Sequence, residues 1–187
     1  MRPVYLAVLS AVILSAGVTV WLATMDPDSD RGAGSGGVTL LPASERPETA
    51  YLYFSDPENV YLRAEAMALP VSGTSLERGQ MILDKLIAGP AKGDLIGTLP
   101  PGTAVRNFFI DPAQRVAYVD FTAAVRDAHP GGGLAEMATV YSVVNSLALN
   151  LTDVDAVKLL IDGSDAESLA GHMDLRFAFR PDVNRVR

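Results

Sequence analysis

The stretch VRNFFIDPAQRVAYVDF, residues 105–121, decides how this chain is to be read. Val105–Asp111 and Arg115–Phe121 are two β-rich runs. Between them Asp111-Pro112-Ala113-Gln114 puts a proline at the second turn position, where its fixed φ suits a type I turn. The segment therefore reads as a β-hairpin. On its second strand Ala117, Val119 and Phe121 share one face, with Tyr118 and Asp120 on the other. One side of the hairpin is built to be covered, and the rest of the chain must supply the cover.

Upstream, Tyr51–Ser55 and Val60–Leu69 flank the turn residues Asp56-Pro57-Glu58-Asn59, and in the second run Leu62, Ala64 and Ala66 alternate with Arg63 and Glu65. This is another hairpin. Thr74, with Glu77 three positions on, is a capping box; Leu76, Ile82, Leu83, Leu86 and Ile87 then fall on one helical face until Gly89-Pro90 ends the helix. Downstream, Gly131-Gly132-Gly133 admits a helix from Leu134 to about Asn150. Val157–Asp162 reads as a buried strand ending in a Gly163 turn, and a final strand is expected near Leu175–Phe179. The order β-β-α-β-β-α-β-β with short connections predicts an α+β domain of two layers, a mainly antiparallel sheet with two helices on one face.

Charge and composition exclude several functions. With 15 Lys and Arg against 22 Asp and Glu, the net charge of −7 offers no positive field to a phosphate backbone, so nucleic acid is not an expected partner. The absence of cysteine removes disulfides, thiolate nucleophiles, thiolate metal sites and a lipid-modified cysteine. The two histidines, His129 and His172, lie outside any H-E-x-x-H pattern. In Asp162-Gly163-Ser164-Asp165-Ala166-Glu167 a glycine already occupies the second position, which does not fit a calcium loop and leaves a solvated turn with His172 close behind. Leu99-Pro100-Pro101-Gly102-Thr103 reads as a rigid turn into a strand, and the three glycines at 131–133 lack the lysine of a phosphate loop. Neither Ser142 nor Ser164 stands in a G-x-S-x-G context. No catalytic, cofactor-binding or metal-ligating residue is assigned, no cofactor is expected, and the chain is not read as an enzyme.

The N-terminus sets the compartment. Val4–Met25 carries no charge over 22 residues, a helix of ~33 Å against a ~30 Å hydrocarbon core. Arg2 precedes it and Asp26, Asp28 and Asp30 follow, which by the positive-inside rule keeps the N-terminus in the cytoplasm and exports the remainder. Residues 1–25 are read as an uncleaved single-pass membrane anchor, the alternative being a cleaved signal peptide; both place the head outside the cytoplasm. Residues 26–49, with Gly32, Gly34, Gly36 and Gly37 and prolines 27, 42 and 47, form a flexible tether of roughly 27 Å reach. A folded domain is assigned to 50–181 and a tail to 182–187.

The domain is identified as resembling the GerMN family of sporulation and spore germination. The resemblance rests on Tyr51-Leu52-Tyr53-Phe54, Leu86-Ile87-Ala88-Gly89-Pro90, Leu99-Pro100-Pro101-Gly102-Thr103, Val119-Asp120-Phe121, Tyr141-Ser142-Val143-Val144-Asn145-Ser146-Leu147, Ile161-Asp162-Gly163 and Leu169-Ala170-Gly171-His172. It implies a non-enzymatic extracytoplasmic module similar in architecture to ring-building domains, acting in a cell-envelope or sporulation and germination complex. The partner implied is an envelope protein or a second copy, with peptidoglycan binding or modification as the alternative.

The second helix is the candidate docking element. Leu134, Met137, Tyr141, Val144, Ala148 and Leu151 recur at spacings of three and four and are read as its core face. Between Leu134 and Leu151 the only charge is Glu136. A solvated helix normally carries more, so the remaining side, Thr139, Val140, Ser142, Val143, Asn145 and Ser146, is either a partner interface or covered from within the domain.

Overall fold

The computed structural model describes residues 47–70, 73–91 and 93–187. The span at Val4–Met25 and the tether through residue 46 lie outside the described residues. Among those described, no helix is long and apolar enough to cross a membrane.

Strands β1 (Glu48–Ser55) and β2 (Leu62–Leu69) form an antiparallel hairpin in which Tyr51 faces Ala66 and Tyr53 faces Ala64. Its turn is held by the Asp56 carboxylate, which accepts from the N–H groups of Val60 at 2.8 Å and Tyr61 at 3.2 Å. Glu48 and Thr49, expected in the tether, are already paired with Leu69 and Ala68. On β1 Ala50, Leu52 and Phe54 are fully buried. On β2 Leu62, Glu65 and Leu69 are buried, while Ala64 and Ala66 are exposed, so the expected alternation holds at Leu62 and Arg63 and is reversed from Ala64 to Ala66. The register is the reason: it sets Glu65 opposite buried Leu52, and the carboxylate accepts from Ala91 N–H at 3.0 Å.

Helix α1 (Ser75–Ala88) starts on Thr74, whose hydroxyl accepts from Glu77 N–H at 3.2 Å, and stops at Gly89, whose φ of 85° only glycine adopts cheaply. Strands β3 (Val105–Asp111) and β4 (Val116–Phe121) form the expected hairpin, with Asp111 Oδ1 accepting from Ala113 and Gln114. A short helix α2 (Ala124–Asp127), which the sequence pattern did not announce, precedes α3 (Gly133–Ala148) and strand β5 (Ala156–Ile161). Because β4 and β5 run parallel, they need a crossover connection, and α3 provides it. The sheet closes with β6 (Ser164–Asp165) in the order β3-β4-β5-β6. The turn into β6 is Asp162-Gly163, with φ of 50° and 78°, as a two-residue hairpin turn of the primed type demands.

Three corrections concern the sheets and the C-terminal segments. Instead of one sheet there are two, a two-stranded and a four-stranded one, and both α1 and α3 touch β1 of the first as well as a strand of the second. The strand expected at Leu175–Phe179 is reduced to one antiparallel bridge between Phe179 and Val157. Residues 182–187, expected as a tail, pack on the domain: Val186 bridges β2 at Leu62, and Arg187 N–H donates to Leu62 C=O at 2.9 Å.

Candidate functional site

The six residues read as a partner interface lie inside the domain. None of Thr139, Val140, Ser142, Val143, Asn145 and Ser146 is more than 2% exposed. Their polar groups serve the fold. Ser142 Oγ donates to Tyr53 C=O, Ser146 Oγ accepts from Tyr53 N–H at 3.0 Å, and one turn further Asn150 bonds both backbone groups of Tyr51. These three residues, four apart on α3, satisfy the backbone edge of β1 that β2 does not reach. Asn145 bonds both N–H and C=O of Asp182, at 3.0 and 3.1 Å, and Thr139 donates to Thr98 C=O at 2.7 Å. This side of the helix is uncharged because β1, Thr98 and Asp182 cover it, and the expected core stripe is correspondingly reassigned: Leu134 is exposed, Met137, Tyr141 and Ala148 are half-buried, and only Val144 and Leu151 are buried.

Glu136, the one charge on α3, is fully buried and organises the 169–173 loop. Its oxygens accept from the N–H groups of Leu169 and His172, each at 2.8 Å, with His172 Nδ1 3.3 Å away. Burial alone would raise this carboxyl's pKa, but backbone donors from Ala170, His172, Leu169 and Met173 outweigh it and hold the group below its ordinary value. The motif Leu169–His172 is thus a backbone cradle for an internal anion. The other histidine is also committed. Gly131 N–H donates to His129 Nδ1 at 3.1 Å, so Nε2 carries the proton toward Thr139 Oγ, 3.1 Å away. Burial pushes this imidazole below its ordinary pKa.

Asp120 links two further motifs. It is buried on β4, accepts from Gly163 N–H at 2.7 Å, and pairs at 3.3 Å with Arg106. Asp165, from the acidic turn, bonds Lys158 at 2.8 Å. Among the described residues no three His, Asp or Glu side chains converge as metal ligands.

The surface feature that sequence reasoning missed is a recess of about 340 Å³ between the start of α1 and the end of β3, lined by Leu76, Phe109, Ile110, Pro112 and Asp153 among others. Leu76 and Phe109 are each 47% exposed. The Phe109 ring stacks on Tyr118, with centroids 4.6 Å apart and planes 5° from parallel. The available signal was Phe108-Phe109: in a strand successive side chains take opposite faces, so one of two adjacent phenylalanines must point outward.

Residues 51–167 match the family model Germane, described as sporulation and spore germination. The chain belongs to the Germane family. Solved structures share its fold. The first GerMN domain of the sporulation protein GerM from Bacillus subtilis superposes with a TM-score of 0.57 at 22% identity, covering 73% of this chain and 98% of that one. The tandem GerMN domains of the same protein give 0.56 at 22% identity, with 71% of this chain on 46% of that one, so this chain spans less than half of the pair. A "Putative Lipoprotein from Clostridium perfringens" gives 0.51 at 24% identity, covering 75% and 93%. No curated protein matches. On the Germane fold the family motifs meet in the interior: Tyr51–Phe54 against Tyr141–Leu147, Val119–Phe121 against Ile161–Gly163, and Leu169–His172 on Glu136.

Proposed function

We propose that this Germane-family chain is a membrane-tethered, extracytoplasmic interaction module, a structural or assembly component of a cell-envelope or sporulation and germination complex, without catalysis of its own. The family match over residues 51–167 carries the reading. The tether rests on the uncharged run Val4–Met25 between Arg2 and the aspartates at 26, 28 and 30. One structural neighbour is described as a lipoprotein, and since this chain has no cysteine to lipidate, the apolar run takes the anchoring role. The non-enzymatic reading is supported by commitment of the acid–base groups: His129 is held between Gly131 and Thr139, and the Glu136 carboxylate is sealed under the 169–173 loop.

Protease added to intact spheroplasts is expected to remove the head and leave an anchored fragment of the full chain; a protected head refutes the topology. The alternative, peptidoglycan binding or modification, has the exposed Phe109 ring in its favour. Cosedimentation of the detergent-solubilised full chain with purified sacculi, or muropeptide release that Asp162→Ala or His172→Ala abolishes, would replace the interaction reading.

A further inference from the structure

Three features of the recess between α1 and β3 bear on what it binds. Its wall is apolar, with Leu76, Phe109, Ile110 and Pro112 around an open mouth. At its side stands Asp153, whose Oδ1 is screened from solvent and accepts no hydrogen bond from a described residue. The nearby cation Arg115 is already engaged, its Nη2 donating to Thr152 C=O at 2.7 Å and to Asp155 Oδ1 at 2.8 Å. Asp153 as a whole is only half-buried, so a charged donor can approach the carboxylate from its accessible side and offset the cost of the donor that Oδ1 lacks. The long-range field agrees in sign: the chain carries −7, and without Arg2 the exported part has 14 basic and 22 acidic residues, or −8.

We propose that this recess seats a basic side chain from an extracytoplasmic protein partner, a lysine or arginine whose aliphatic stem lies along Leu76, Ile110 and Pro112 and whose charge meets the Asp153 carboxylate. The chemistry is that of an amphipathic cation, apolar along its length and charged at its tip. Phe109, backed by Tyr118, adds an aromatic face on which a guanidinium or ammonium group is attracted. The inference rests on the interaction-module reading and specifies its surface.

The test uses the full-length, membrane-anchored chain in cells, with a photo-crosslinker introduced as Phe109→p-benzoylphenylalanine and, as an independent exposed position on β1, Tyr51→p-benzoylphenylalanine. The position-109 probe is expected to yield a protein adduct whose mapped attachment lies within a residue or two of a lysine or arginine. Asp153→Asn, which keeps shape and removes charge, should lower that adduct about tenfold and leave any position-51 adduct unchanged. An adduct insensitive to Asp153→Asn, one mapped to a segment without a basic residue, one on peptidoglycan, or one on a second copy of this chain overturns the proposal. Adducts at 51 but none at 109 overturn the recess while the interaction module stands; adducts at neither position overturn both.

Discussion

Asn150 holds Tyr51 by both backbone groups: its Oδ1 accepts from Tyr51 N–H at 2.9 Å and its Nδ2 donates to Tyr51 C=O at 2.8 Å. A side-chain amide here does what a neighbouring strand would do, and Ser146 and Ser142 do the same for Tyr53. Strand edges left unpaired are templates for unwanted association, and here a helix supplies the missing partners.

Substitutions along that stripe should therefore behave as loss of strand pairing. Asn150→Asp keeps the acceptor, loses the donor and sets a charge against the carbonyls of Tyr51 and Ser146, so it should destabilise by about 1–2 kcal/mol and at least as much as Asn150→Ala. The double variant Ser142→Ala, Ser146→Ala should cost about 1–3 kcal/mol by leaving both Tyr53 backbone groups unmet. Urea denaturation measures both. An unaltered midpoint in the double variant would remove the edge-capping role.

Glu136→Gln turns one acceptor oxygen into a donor that faces backbone N–H groups. The expected loss is about 2–4 kcal/mol. Hydrogen exchange at residues 169–173 should accelerate beyond the global change, because the loop is held by this carboxylate.

Two groups make the fold acid-sensitive in separate windows. His129 has a folded pKa below 6.5, so the unfolded chain takes up its proton first; its contribution is full above pH 6.5 and is lost as pH falls from there through the folded value. Glu136 has a folded pKa below 4.5, and its contribution, present above 4.5, is lost as pH falls through the lower folded value. Stability should thus decline in two steps on acidification. His129→Gln should flatten the upper step alone, which denaturation midpoints between pH 3 and 8 would show.

Gly79→Ala raises helix propensity by about 1 kcal/mol, yet it should destabilise α1. An added Cβ would collide with the Phe108 ring and crowd Leu151 Cδ1 at 3.3 Å. Overpacking of this kind costs about 1–3 kcal/mol. Combining it with Phe108→Leu should recover much of the loss; thermal melting of the four proteins of that cycle decides whether the contact is the cause.

Much of this architecture was legible in the chain alone, for reasons of local chemistry. Asp111–Gln114 and Asp162-Gly163 carry their turns in their own backbone preferences, and Thr74 and Gly89 bound α1 by capping. The order and spacing of the motifs likewise carried the resemblance to the family that the match over residues 51–167 shows. The position of α3 was of another kind. Its uncharged face is compatible with an external partner or with internal cover, since periodicity reports which residues share a side and not what lies against that side. Only the tertiary structure showed that β1 and Asp182 occupy it. Nor could alternation along β2 decide that Glu65 points inward, because the register against β1 and the reach of Ala91 N–H fix that choice across 26 residues of sequence. The recess at Asp153 belongs to the same class: Leu76, Phe109 and Asp153 are remote in the chain and meet only because α1 packs on β3.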